Sequence, residues 1–187
     1  MSRSWRAEEF PAHAKWIEVN DSVIDRLVEG LQRVRFYSPQ VPVKEYMMLN
    51  VLMTWASSSR EIASFLVARA MFRAGHGDVD GAWQDLLICH RLARHAGKSG
   101  ILVDRQLGVA LDGIACWGDI ALAQNASMMP GQAIKFARDL KAVKEIKGFA
   151  DHIDIAERFT YLDFVSHLAR GTPRVAKMLE LNTQNTG

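Results

Sequence analysis

The run from Ser58 to Gly97 is the part of the sequence that most narrows what the chain can become. Two helical patterns lie there, with only Gly75, His76, Gly77 and Asp78 between them. In the first, Ile62, Phe65, Leu66 and Phe72 recur at the spacing of one helical face. Ser58 and Glu61 stand as in a capping box, which sets the expected helix start at Ser58. In the second, Val79, Ala82, Trp83, Leu86, Cys89 and Ala93 share a face; Asp78 suits the N-cap and Gly97 the stop. So short a turn forces the helices antiparallel, and the stretch reads as an αα-hairpin. Arg69 lies on the face that the first helix turns to the second. Counting equally back and forward from Gly77 sets it across from position 85, so Arg69 is expected to pair with Asp85 in the interior.

The flanking segments repeat this grammar. Asn20-Asp21-Ser22 suits the cap of a helix to about Phe36, and two prolines make residues 37–42 a connector. Tyr46 to Met53 is apolar almost all round, as in a helix buried on several sides. Ile101 to Gln124 reads as a long helix, with Gly108, Gly113 and Gly118 for close packing. Pro130 opens a helix to Lys147; Asp151 caps another through Arg170 that carries two apolar faces and should be sandwiched. The expected fold is therefore all-α, antiparallel helix hairpins stacked in a right-handed layer. Residues 1–181 form one domain, with an irregular segment over 1–20, a hairpin core over 58–148 and a frayed tail over 182–187. A shift of 51 residues, which carries Ala82 onto Ala133 and Gly97 onto Gly148, supports a repeat.

With 187 residues and 49% of them hydrophobic, the chain can bury a substantial core. A net charge of +2 is too balanced to mark a nucleic-acid binder. Met1 to Asn20 lacks the apolar core of a signal peptide. Leu107 to Ala123 is apolar but contains Asp112 and Asp119. Each would cost about 2.5–3.5 kcal/mol to insert, so no transmembrane helix is expected. Cys89 and Cys116 both fall in helical patterns and read as buried free thiols.

Gly77-Asp78, Ala82, Leu86 and Leu92-Ala93 resemble the second half of a tetratricopeptide repeat, although Arg73 stands where that motif wants an aromatic. A wider set of strings includes Val34-Arg35-Phe36-Tyr37-Ser38-Pro39, Leu66-Val67-Ala68-Arg69-Ala70-Met71, Ala82-Trp83-Gln84-Asp85-Leu86-Leu87, Gly113-Ile114-Ala115-Cys116 and Glu157-Arg158-Phe159. Together they resemble a family of uncharacterised bacterial all-helical proteins over most of residues 16 to 171. Members of that family are often longer and can begin with a membrane-anchoring segment. The resemblance implies an all-helical fold and carries over no activity and no catalytic residue.

Candidate chemistry is sparse. His76 to Gly81 has the look of a calcium loop, but His76 and Leu87 fall where carboxylate ligands belong, and a turn with a cap explains it. His90 sits mid-face between Leu86 and Ala93, with no second histidine or cysteine at ligand spacing on its own face. It is expected as a hydrogen-bonded core histidine, the alternative being a ligand pocket or active site around it. Asp104, Asp112 and Asp119 share one arc of their helix, opposite Val103, Leu107, Ala110, Ile114, Trp117 and Ala121. That arc is expected to be a solvated face, or one paired with arginines of a neighbouring helix, the sharper alternatives being a metal or a basic, apolar-anchored protein or peptide partner docked on it. Asp163 and His167 make an i,i+4 surface pair. No catalytic residue, metal or cofactor is expected. The leading expectation is a structural or protein-interaction module, with homo-oligomerisation possible. The alternatives are a small-ligand binder or enzyme around His90, and a membrane-peripheral domain using Tyr46 to Trp55.

Overall fold

The computed structural model describes residues 3–33, 54–98, 101–146 and 148–171. Among these, the regular elements are helical: α1 Pro11–Leu31, α2 Thr54–Gly75, α3 Val79–Ala96, α4 Leu102–Asn125, α5 Pro130–Ala142, α6 Phe149–His152 and α7 Arg158–Ala169, with a π-helical turn, Ile153–Glu157, between the last two. The protein is all-α.

The hairpin is α2 and α3. Gly77 adopts φ +83°, a left-handed conformation that glycine reaches without Cβ strain, and this reverses the chain. Asp78 then caps α3, its Oδ1 accepting from Gly81 N–H at 2.9 Å. The opening of α2 differs from expectation. The helix is already formed at Thr54, so Ser58 is an exposed residue within it and not a cap. α1 likewise starts earlier, at Pro11 in a first-turn position, and runs through Asn20, whose amide bonds Trp16 O within the helix. Ile17, Ile24 and Leu31 are its buried face.

α3 is the central element. It packs on α2 along one side and on α4 along another, and α2 and α4 also touch. Ala63, Leu66, Ala70, Met71, Ala82, Leu86, Cys89, Ala93, Leu111 and Ala115 are buried where these helices meet. Small residues set the spacing. A Cβ on Gly108 would stand 2.8 Å from the backbone of Gly97 and Ala93, so only glycine permits this crossing of α3 and α4. Gly113 lies on the other side of α4, with nothing near its Cβ position.

The N-terminal segment is pinned by Trp5. Its backbone N–H donates to Met71 O and its indole N–H to Ala68 O, both at 3.2 Å, and its ring is buried against Phe72. Peripheral elements are shorter or barer than the periodicity suggested. α5 ends at Ala142, with Trp83 stacked on its Phe136 at 4.6 Å. The last described helical stretch opens at Phe149 rather than at Asp151, and Ile153, Phe159, Leu162 and Leu168 are exposed rather than sandwiched. Most of Tyr46 to Trp55, the connector before it and the 182–187 tail lie outside the described residues. Trp55 itself is half-buried and packs on the core.

Candidate functional site

Two charged centres flank α3. The first joins α1, α2 and α3. Arg69 faces Asp85 in a bidentate pair, Nε to Oδ2 at 3.0 Å and Nη2 to Oδ1 at 2.6 Å, with both side chains 3% exposed or less. Its remaining nitrogen, Nη1, donates to Asp21 of α1, and Arg73 Nη1 lies 3.2 Å from Asp85 Oδ2. Burial works against the Arg69 charge, but the bonds and charge of Asp85, then Asp21, outweigh it and raise its pKa. Burial also raises the Asp85 carboxyl, restrained by Arg69 and Arg73. The geometry fits the ionised pair, since two short bonds from one guanidinium are the charge-assisted arrangement of a carboxylate with both oxygens free to accept. The hairpin count located two of these residues. Asp21 and Arg73 were not anticipated: Asp21 was expected as part of a helix cap, and Arg73, one turn beyond Arg69 on α2, was given no partner.

The second centre lies between α3 and α4. His90 is buried, with Nδ1 2.6 Å from Asp112 Oδ1 and Nε2 3.0 Å from Asp119 Oδ2. One turn along α3, Arg94 donates Nη1–H to the same Asp112 oxygen and Nε–H to Lys144 O. Burial works to lower the His90 pKa, yet the bonds to Asp112 and then Asp119 outweigh it and hold the imidazole at about 9. The ring is therefore a buried cation at neutral pH, donating from both nitrogens. Burial works to raise the Asp112 carboxyl, and the bonds from His90 and Arg94 overcome it and hold it below its ordinary value.

Of the two expectations for this arc, the solvated face is corrected and the pairing with an arginine of a neighbouring helix is what Asp112 and Arg94 show. Asp104 is fully buried, and Asp112 and Asp119 turn toward α3 with side chains only 26% and 20% exposed. Of the side expected to face the core, Leu107 and Ala121 are buried and Ile114 partly so, but Val103, Ala110 and Trp117 lie at the surface, Trp117 74% exposed. The physical reason is that His90 and Arg94 give the two aspartates charged partners on α3, so their seam rotates inward with Leu111 and Ala115. Uncharged residues are left outside. The alternation of exposed and buried positions also separates the thiols. Cys89 is buried, its pKa pushed up to about 12 by burial, whereas Cys116 is exposed.

Other expected groups stay apart from this centre. Asp163 and His167 lie on α7, 3.8 Å apart. A cleft of about 480 Å³ beside α3 is lined by Arg33, Arg91, Arg94, Lys98 and Lys144 with Asp139, but His90 does not line it. Sequence reasoning missed the joining of Asp112, Cys116 and Asp119 to His90 because it looked for partners on the histidine's own helix. The available signal was the spacing of Asp112, Cys116 and Asp119 themselves, which places all three on neighbouring turns of α4.

Fold and centre together define an all-helical protein whose middle helix is braced on both sides by buried charge. By length and composition α4 could reach across a bilayer, but here Leu107, Leu111, Ala115, Ala121 and Leu122 bury one side of it. No protein-family model, curated protein or solved structure matches the chain.

Proposed function

We propose that this protein is a helical interaction module that holds an amphipathic helix of a partner protein along the outer side of α4. The carrying observation is an exposed stripe without a charged residue: Val103, Val109, Ala110, Gly113, Trp117 and Ile120, interrupted by the polar but neutral Gln106. From Val103 to Ile120 the stripe extends about 26 Å, the length of a five-turn helix. Its middle, Ala110 and Gly113, is small enough for another backbone to approach closely, and Trp117 supplies a large anchor beside it. Scattered exposed apolar residues are ordinary on a protein surface; a continuous uncharged side on a well-packed helix is not.

In this reading α2, α3 and α4 form a tetratricopeptide-like hairpin stack, and the aspartates serve the interior brace instead of the partner. Selectivity then comes from apolar anchors at i, i+3, i+4 and i+7 of the incoming helix, with little contribution from charge.

The test is selection from a displayed library of helical peptides, followed by titration against wild-type, Trp117→Glu and Ile120→Glu proteins. Peptides with that anchor spacing, weakened at least tenfold by either substitution, are the expected result. Binders indifferent to both substitutions would overturn the proposal. So would concentration-dependent dimerisation abolished by the same substitutions, since that assigns the stripe to a second copy of the chain.

A further inference from the structure

The centre between α3 and α4 is built like the coordination shell of a metal ion. His90, Cys116 and Asp119 each offer a donor atom, and the three lie within 4.8 Å of one another. Cys116 and Asp119 stand one turn apart on α4, and His90 projects from α3 toward them. Gly118, between those two residues, is in contact with Leu86, one turn before His90, so the helices cannot drift apart at this level without losing that packing.

Two further features point to a ligand. Asp119 has one oxygen, Oδ2, on His90, while the other, Oδ1, is buried and meets no hydrogen-bond partner. A buried carboxylate oxygen without a protein donor is uncommon in folded proteins, and it offers a cation an acceptor that no protein group has taken. His90 is also held from behind: Nδ1 donates to Asp112, which Arg94 grips in turn. A carboxylate on the far nitrogen, fixing the tautomer and leaving Nε2 forward, is the usual support of a metal-bound histidine.

We propose that His90 Nε2, Cys116 Sγ and a carboxylate oxygen of Asp119 bind a divalent zinc-like ion, with the fourth position open to water or to an incoming ligand. Nitrogen, sulfur and oxygen donors together suit this borderline ion better than magnesium or calcium, which take oxygen alone. Binding displaces the proton on Nε2 and the thiol proton of Cys116 to solvent. The dication is then balanced by one thiolate and one carboxylate, while Asp112 keeps Arg94. A tetrahedral shell holds donor atoms roughly 3.3–3.8 Å apart, so closure from donors within 4.8 Å of one another asks for an inward movement of about 1 Å. Cys116 is exposed, which gives the ion a path in beside Trp117.

The experiment titrates chelator-treated, reduced protein with cobalt(II) and with zinc(II). Wild type should bind one ion per chain, show a thiolate-to-cobalt charge-transfer band and the visible absorption of a tetrahedral ion, and release two protons per ion in weakly buffered solution. Zinc should slow alkylation of Cys116 by iodoacetamide at least tenfold. Cys116→Ser, at an exposed position that leaves the fold intact, should abolish the charge-transfer band and weaken zinc binding at least tenfold. Asp119→Asn should weaken it comparably, whereas Asp80→Asn, in the first turn of α3 and bonded to Gln132 and Lys135 of α5, should leave it unchanged. No binding at millimolar zinc, or binding that Cys116→Ser leaves intact, would overturn the proposal. Neither result bears on the peptide titrations.

Discussion

Truncating Asp85 to alanine isolates the energetics of the buried ion cluster. The substitution removes both acceptors of the bidentate bond and leaves the Arg69 guanidinium 3% exposed, facing only Asp21, with Asp25 at 3.7 Å. Breaking a buried pair by removing one partner generally costs about 3–5 kcal/mol. Here Asp21 remains, and its side chain is 48% exposed, so the stranded cation retains one well-hydrated counter-charge. That places the expected loss near the lower end, about 3 kcal/mol. Asp21→Ala removes the more exposed acceptor and should cost only about 1 kcal/mol. The assay is urea denaturation at neutral pH, followed by far-ultraviolet circular dichroism. A second arm replaces the whole pair with apolar side chains of similar size, Arg69→Met with Asp85→Leu. If the penalty of the single variant comes from an uncompensated buried charge, the double variant should return to within about 1 kcal/mol of wild type. A loss below about 1 kcal/mol for Asp85→Ala, the level of a surface pair, would refute the reasoning.

Three other outcomes follow from the same geometry. Gly108→Ala must push apart the backbones of α3 and α4 and should destabilise by about 2–3 kcal/mol, whereas Gly113→Ala, with open space at its Cβ position, should stabilise by about 0.5–1 kcal/mol on the same denaturation curves. In metal-free protein the His90 pKa is raised from 6.5 to about 9, so its contribution to stability is full below pH 6.5 and is lost as pH rises through 9. That contribution is about 2 kcal/mol, after discounting the ideal value of about 3 for water at the partly exposed aspartates, and His90→Gln should flatten this part of the stability–pH profile. Trp117→Glu should change stability by less than about 0.5 kcal/mol despite exchanging a large apolar residue for a charge, because that side chain is mostly in solvent; a larger loss would mean that the α4 stripe is covered within the chain.

Local chemistry was enough to determine the helical class, the α2–α3 turn and the Arg69–Asp85 pairing. Gly77, Asp78 and the run of apolar positions on either side act over a few residues, and a three-residue turn fixes the register of two antiparallel helices without help from the rest of the chain. The start of α1 was less legible: Asn20-Asp21-Ser22 has cap chemistry, but Pro11 begins the helix earlier, and Ile17, Ile24 and Leu31 bury along its whole length. Ser58 was misleading for the same reason, since a serine within a helix and one at its cap look alike in sequence. The rotation of α4 could be decided only by the tertiary structure. Its wheel offers two plausible inward sides that share Leu107 and Ala121, one adding the apolar Val103, Ala110 and Trp117 and the other Leu111, Ala115 and Leu122. The choice falls to Asp112 and Asp119, which find His90 and Arg94 on α3, 18 to 29 residues away in sequence. A buried charge is tolerated only beside its partner, and that partner's position is a property of how the helices pack, not of the helix that carries the charge.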